Sequence, residues 1–123
     1  MPRIPKLDPE REARLEDEIL VDAYGELEQA VAWWTYLGDQ LEFPFKAKCV
    51  LEISRSPLEI GDQVSVLDLA DSDECEDGMY VVIEYLNRKL SVPLEQFKGI
   101  RIGEEAKTAI EDWQYWLARG RGF

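Results

Sequence analysis

The chain has 123 residues, of which 14 are lysine or arginine and 26 are aspartate or glutamate, so its formal net charge at pH 7 is −12. A surface this negative repels nucleic-acid phosphates and anionic lipid, and neither is expected as a ligand. The chain has no histidine, which removes the commonest general base and the usual zinc and iron ligands.

The two cysteines indicate neither a disulfide framework nor a zinc site. Cys49 and Cys75 are far apart in sequence, and neither belongs to a CxxC pair. The N-terminus lacks the apolar stretch of a signal peptide, and no apolar run has the length of a membrane span. We therefore expect a reduced, cytoplasmic protein without a membrane partner.

The N-terminal third of the chain has a helical pattern. Residues 1–8 contain two prolines and are expected to form an extended tail. Asp8 before Pro9 is typical of a helix start, because aspartate caps the first amides and proline suits the first helical position. One helix is predicted from there to about Leu41. Its inward stripe would consist of Leu20, Ala23, Leu27, Ala30, Val31, Trp34, Leu37 and Leu41.

The middle of the chain changes to a strand pattern. The predicted strands cover residues 46–54, 63–69, 79–86, 90–94 and 97–102. Turn signals separate the first two strands, and the short connection at residues 87–89 predicts a hairpin between the third and the fourth.

Helical spacing returns over residues 104–117, and the apolar and aromatic residues there are expected in the core or at its rim: Ala106, Ala109, Ile110, Trp113, Tyr115, Trp116 and Leu117. The predicted fold class is α+β, with an N-terminal helix, a small bent antiparallel sheet or partly open barrel, and a C-terminal helix. We expect one domain over residues 9–118 and a frayed tail at 119–123.

The first candidate metal-binding group lies on the predicted N-terminal helix. Glu18, Asp22 and Glu26 follow one another at intervals of four residues, so they would share the solvent face with Trp33. Like charges at that spacing repel by roughly a few tenths of a kcal/mol per pair. A bound cation would relieve this repulsion, and a merely solvated helix face is the alternative.

The second candidate is an acidic loop between two predicted strands. Residues 71–78 read DSDECEDG, and their carboxylates belong to Asp71, Asp73, Glu74, Glu76 and Asp77. Calcium takes roughly six to eight oxygen ligands, which such a loop offers as carboxylates and backbone carbonyls. A soluble loop that discourages aggregation is the alternative.

The same segment nearly fits the twelve-residue calcium loop of helix–loop–helix proteins. Asp73, Asp77, Gly78 and Glu84 would occupy positions 1, 5, 6 and 12 of that motif. Cys75, however, stands at position 3, where a hard cation needs oxygen, and a strand pattern follows Gly78 instead of a helix. We therefore expect an acidic loop without a helix–loop–helix hand.

The third candidate is Asp39, which follows Gly38 near the end of the predicted helix, with Glu42 shortly after it. The helix dipole disfavours an anion at a helix C-terminus unless a cation bridges it to the last carbonyls. This position favours a ligand role for Asp39, and an ordinary loop aspartate is the alternative.

Catalysis is not expected. Glu111 and Asp112 are adjacent carboxylates, but neighbours on a helix point about 100° apart and do not converge on one substrate. Cys75 lies among acidic residues, which should raise its pKa and make it a poor nucleophile.

Six stretches of the chain together resemble the small calcium-binding proteins of the CcbP type. They are DEILVDAYGELE (17–28), WWTYLGDQLEFPFKAKC (33–49), SPLEIGDQVSV (56–66), DECEDGMYVVIEY (73–85), SVPLEQF (91–97) and AIEDWQYW (109–116). They occur in family order, and the FPF, SPL and DWxYW elements are the most specific. The resemblance implies a compact α/β domain that binds calcium at acidic surface sites, for buffering or signalling, without a helix–loop–helix hand.

The resemblance also implies particular ligands. It favours Asp39 in YLGDQL as a direct calcium ligand, and it matches Asp22 and Glu26 of VDAYGELE to acidic family positions. Family members usually have an acidic residue immediately before the equivalent of Asp39, where this chain has Gly38. One carboxylate fewer generally means weaker calcium binding.

Two functions remain open at this point. The first is a calcium-binding module, either a buffer or a sensor, with Asp39 and the 71–77 loop as the leading site and the helix carboxylates as a weaker one. The second is an acidic adaptor for a basic protein partner, in which cation binding is non-specific and fades with salt. Selectivity for calcium over magnesium would distinguish them.

Overall fold

The structure, a computed structural model, describes residues 4–122 and has the α+β class that the sequence predicts. The helices and strands in chain order are α1 (Pro9–Arg14), α2 (Glu26–Gln40), β1 (Phe45–Cys49), β2 (Gln63–Leu69), β3 (Tyr80–Tyr85), β4 (Arg88–Pro93), β5 (Phe97–Ile100) and α3 (Glu104–Ala118). A π-helical turn, Leu15–Ile19, continues α1, and a 3₁₀ turn, Leu94–Gln96, leads into β5. In the part of the chain described, no helix is long and apolar enough to cross a membrane.

The ends of the described chain contact the folded part. Arg119 Nη1 donates to the carbonyl oxygen of Pro5 at 2.8 Å, and Arg121 Nη2 donates to both carboxylate oxygens of Glu12 at 2.9 and 3.0 Å. The predicted tails also include residues 1–3 and 123, which lie outside the described residues. The domain bounds therefore stay a prediction.

Asp8 begins α1 as predicted. Its Oδ1 accepts hydrogen bonds from the amides of Glu10 and Arg11 at 3.1 and 3.2 Å, and Pro9 is the first helical residue. These bonds satisfy amides that have no partner inside the helix.

The single long helix predicted up to Leu41 is wrong. The π-helical turn ends at Ile19, a turn follows, and α2 begins at Glu26 with Gly25 as its N-cap. Asp22 lies within this turn at a φ of 56°, a left-handed conformation that aspartate adopts more readily than most residues. A right-handed helix does not continue through such a residue.

The inward face predicted for α2 is also partly wrong. Trp33, expected on the solvent side, is fully buried, whereas Leu27 and Val31, expected in the core, are 61% and 52% exposed. Ala30 and Leu37 are buried as predicted. The physical reason is that α2 has two apolar faces, and the one that contains Trp33 packs on α3.

The five strands form one open antiparallel sheet in the order β4-β3-β2-β1-β5. The pairing of Lys46 with Ile100 places the start of β1 beside the end of β5. Alternate residues of β1 (Phe45, Ala47 and Cys49) are buried and belong to the same core as α2 and α3. This strand pairing decides which loops meet at the candidate site.

The predicted hairpin is formed by β3 and β4, which pair from Tyr80 with Pro93 to Tyr85 with Arg88. Its connection is one residue earlier than predicted, at Leu86 and Asn87, with φ values of 50° and 62°. Two-residue hairpin loops require this left-handed conformation because it matches the twist of the strands.

Asp112 ties α1 to α3. It is fully buried, and its Oδ1 accepts hydrogen bonds from Arg11 Nη1 at 2.5 Å and Arg14 Nη2 at 2.9 Å, while Oδ2 accepts one from Arg14 Nε at 2.6 Å. The pKa of Arg14 is raised, chiefly by its hydrogen bonds to Asp112. The 111–112 carboxylate pair thus belongs to a structural ion-pair network.

Candidate metal site

Asp39 lies exposed in the last turn of α2, at the wall of an open cavity of about 500 Å³. The charged side chains that line this cavity belong to Asp39, Glu42, Glu105 and Arg101. The side-chain amide oxygen of Gln40 is a further possible metal ligand. Three carboxylates and one guanidinium leave the cavity with a charge of −2, which attracts a cation.

Two stretches of chain that are distant in sequence meet at this cavity because of how the strands pair. The end of α2 leads through residues 41–44 into β1, and β5 leads through residues 101–103 into α3. Since the start of β1 lies beside the end of β5, Asp39 and Glu42 meet Glu105 there, although they are more than sixty residues apart in sequence.

The two helix ends have opposite electrostatic effects at the cavity. Asp39 lies at the C-terminus of α2, whose unpaired carbonyls carry partial negative charge and disfavour a second anion. Glu105 lies in the first turn of α3, where the helix dipole favours an anion. A cation beside Asp39 would therefore relieve an unfavourable arrangement, whereas Glu105 is stable without one.

The donor chemistry of the cavity fits calcium. Its possible ligands are carboxylate, amide and backbone oxygens, which a hard cation prefers, and no cysteine lines it. Within residues 4–122, however, no three acidic or cysteine side chains are already close enough together to hold an ion. Binding would therefore draw in side chains that are exposed and free to rotate, and water would complete the shell.

The acidic loop connects β2 to β3 and lies apart from this cavity, whose walls contain none of its residues. All five of its carboxylates are exposed: Asp71, Asp73, Glu74, Glu76 and Asp77. Backbone hydrogen bonds from Glu74 to Asp71 (2.9 Å) and from Cys75 to Ser72 (3.1 Å) fold the loop into turns. The structure therefore separates the two parts of the predicted leading site, and the ligand role of each part stays a prediction.

Cys75 anchors the acidic loop to the core. Its side chain is buried, and its Sγ lies 3.4 Å from the amide nitrogen of Tyr80, which donates to it. Burial raises the pKa of the Cys75 thiol, and the neighbouring carboxylates raise it further. The raised pKa of Cys75 agrees with the sequence prediction, but burial contributes more to it than the acidic neighbours do.

The row of three carboxylates predicted on one face of the N-terminal helix is not formed, because these residues do not share one helix. Glu18 belongs to the π-helical turn, Asp22 to the following turn, and Glu26 is the first residue of α2. All three are exposed, and the hydroxyl of Tyr24 donates to Asp22 Oδ1 at 3.2 Å. The helix break removes the regular four-residue spacing, and the metal role of these residues stays a prediction.

Two charged residues of the cavity escaped the sequence analysis, namely Glu105 and Arg101. Glu105 has the pattern of an ordinary acidic residue in a first helical turn, and Arg101 follows a short strand at a φ of 55°. The pairing of β1 with β5 brings them near Asp39, and no local pattern in the sequence indicates that pairing.

Comparison with known proteins gives one family and two similar structures. The sequence model of CcbP-type calcium-binding proteins, described as calcium binding, matches residues 13–117. The crystal structure of Anabaena CcbP is 38% identical in sequence with a TM-score of 0.84, covering 97% of this chain and 98% of that one. A calcium binding protein in the calcium-binding form is also 38% identical with a TM-score of 0.84, covering 94% and 95%. No curated protein matches the chain.

Proposed function

We propose a function from one premise: the chain belongs to the CcbP family of calcium-binding proteins. The resemblance inferred from the sequence is confirmed by this match. The proposed function is calcium binding by surface carboxylates, with Asp39 as the principal ligand and the 71–77 loop as a second, weaker site.

The observation that carries the proposal is the cavity beside Asp39. Carboxylates from the end of α2, from the segment before β1 and from the start of α3 line one concave surface. A cation there would neutralise the anion at the C-terminus of α2 and hold these segments together. The similar structure in a calcium-binding form supports the choice of ion.

The open, flexible arrangement favours calcium over magnesium. Calcium accepts irregular shells of six to eight oxygens, whereas magnesium requires a nearly ideal octahedron and gives up its water reluctantly. Asp39, Glu42 and Glu105 are all exposed, so their carboxylates can adjust to a larger ion. Arg101 opposes any cation and lowers the affinity of the site.

Calorimetric titration of the metal-free protein with calcium, in a magnesium background near physiological salt, tests the proposal. Saturable, stoichiometric heat that magnesium does not reproduce would support it. No heat, or weak heat that magnesium matches, would contradict it.

Within the proposal, the protein acts as a calcium buffer or as a calcium sensor. A sensor changes the surface that it presents when calcium binds, whereas a buffer barely changes. Amide chemical shifts measured with and without calcium separate the two. Shifts confined to residues around the cavity indicate a buffer, and shifts that reach α2 as far as Trp34 indicate a sensor.

Three further parts of the proposal concern chemistry, location and partner. The family is described by calcium binding instead of a reaction, and we propose no catalysis.

Both cysteines are buried and unpaired, which supports a reducing, cytoplasmic location, and cell fractionation tests it. The net charge of −12 supports a basic protein as a partner in addition to the calcium ion.

A further inference from the structure

Helix α2 carries a second apolar face that the described chain covers only in part. Leu27, Val31 and Trp34 follow one another at intervals of four and three residues, so they form one stripe along the helix. Leu27 and Val31 are more than half exposed, and Trp34 is half-buried. The face that holds Ala30 and Trp33 is the one that packs into the core.

The stripe forms one wall of a groove, and the acidic loop forms the other. The indole Nε1 of Trp34 donates to the carbonyl oxygen of Ala70 at 2.8 Å, which fixes the start of the loop against the helix. The groove has a volume of about 190 Å³, and its loop wall is formed by Ser72, Asp73 and Glu76. An apolar surface is thus held beside the two carboxylates of Asp73 and Glu76.

The segment that precedes α2 also exposes apolar side chains to solvent. Val21 and Tyr24 are 53% and 84% exposed, so four large apolar side chains between residues 21 and 31 face solvent. Single exposed apolar residues are common on protein surfaces, but a cluster rimmed by charged residues marks an interaction site.

The charge around the groove decides what kind of partner fits it. Residues 15–45 and 56–87, which contain both walls, include no lysine or arginine. A second copy placed face to face would bring carboxylates against carboxylates, and nucleic acid or anionic lipid would be repelled. A helix with apolar residues on one side and lysine or arginine beside them complements both walls.

We propose that the groove between Leu27, Val31 and Trp34 and the 71–77 loop binds a basic amphipathic helix of a partner protein. The apolar side of that helix covers the stripe, and its cations pair with the carboxylates of Asp73 and Glu76. This inference rests on the proposed basic partner and does not require calcium, so the calcium site and the helix-binding groove can fail independently of each other.

Binding of two synthetic peptides to the metal-free protein, measured with chelator present, tests the inference. The first has about 18 residues of leucine, alanine and lysine, enough for five helical turns, with its leucines on one face. The second has the same composition in scrambled order, so that its leucines surround the helix. We expect one-to-one binding of the first peptide and binding of the second at least about tenfold weaker.

Variants of the protein locate the binding surface. Because Leu27 and Val31 are exposed, the double variant L27S/V31S should fold, and we expect it to bind the amphipathic peptide about tenfold more weakly. Ile60→Ser is the matched control, because Ile60 is 64% exposed but lies outside the groove, and it should bind as the wild type does. Circular dichroism confirms that each variant is folded.

A charge variant tests the second wall. Asp73→Asn with Glu76→Gln should weaken the peptide complex and make its affinity less dependent on salt, because two ion pairs are lost. Equal binding of both peptides, or unchanged binding by L27S/V31S, would overturn the inference in favour of unspecific attraction to an acidic surface. A wild-type dimer that L27S/V31S abolishes in sedimentation would also overturn it, since a second copy would then occupy the stripe.

Discussion

Trp33 of α2 and Trp113 of α3 pack edge to face, with ring centroids 5.1 Å apart and ring planes at 71°. Both side chains are almost completely buried. The ring centroid of Trp116, also in α3, lies 5.6 Å from that of Trp33. This contact holds α2 against α3 and so fixes the end of α2, where Asp39 lies, beside the start of α3.

Replacing Trp33 tests the importance of this contact. Trp33→Ala leaves a large cavity and should lower the free energy of unfolding by about 3–5 kcal/mol. Trp34→Ala is the matched control. Because the Trp34 indole is only half-buried, its removal should lower the free energy of unfolding clearly less. Urea unfolding followed by circular dichroism measures both. Similar losses in the two variants would mean that Trp33 does not anchor the helix pair.

Asp112 offers a second test, of the network that ties α1 to α3. Asp112→Asn keeps the size of the side chain but leaves Arg11 and Arg14 without their shared carboxylate. Breaking a buried ion pair from one side typically costs about 3–5 kcal/mol, and we expect a loss in that range. Glu111→Gln removes a half-exposed partner of Arg11 and should cost well under half as much. Urea unfolding compares the two, and equal costs would contradict the structural role of Asp112.

Glu12 gives a prediction about acid stability. Burial alone would raise the pKa of Glu12, but hydrogen bonds from Tyr115 and Arg121 outweigh it, and the pKa is lowered from its ordinary value of 4.5. A lowered pKa in the folded state means that the ionised carboxylate stabilises the fold above its unfolded-state pKa. This stabilisation is lost as the pH falls through the folded-state pKa.

The variant Glu12→Gln measures this contribution. At pH 7 its melting temperature should lie below that of the wild type, and the difference should shrink as the pH falls below about 4.5. Thermal unfolding between pH 7 and pH 3 follows the change. A difference that stays constant down to pH 3 would show that the charge of Glu12 contributes nothing.

The acidic loop can be tested separately from the cavity. Because the two lie apart, replacing Asp71, Asp73 and Asp77 together with asparagine should leave the tighter calcium binding unchanged within about twofold. Only weaker binding at higher calcium concentration should disappear. Calorimetric titration measures both, and loss of the tighter binding would make the loop the principal site.

The sequence indicated the fold class, the approximate positions of the five strands and the hairpin, because each depends on local periodicity and turn residues. It did not indicate which face of α2 is buried. Leu27, Val31 and Trp34 have the same helical spacing as the residues of the true core face, and a helical wheel cannot choose between two apolar faces. The choice depends on the packing of Trp33 against α3, which is a tertiary contact.

The candidate site shows the same limit. Asp39 could be singled out from its position near a helix end, and the acidic loop from its composition. Glu105 joins Asp39 because β1 pairs with β5 and α2 packs on α3, and such long-range contacts leave no mark in either segment. The regular spacing of Glu18, Asp22 and Glu26 was misleading, because a left-handed residue at the middle position interrupts the helix.

Calcium titration of Asp39→Asn tests the central proposal most directly, with Glu52→Gln as the control. Both variants remove one carboxylate from an exposed position, but Glu52 does not line the cavity. If Asp39 is a direct ligand, Asp39→Asn should weaken calcium binding by about tenfold or more, or roughly 1.4 kcal/mol, while Glu52→Gln stays close to the wild type. Equal, small effects of the two variants would contradict a calcium site at Asp39 and leave only diffuse attraction of cations to an acidic surface.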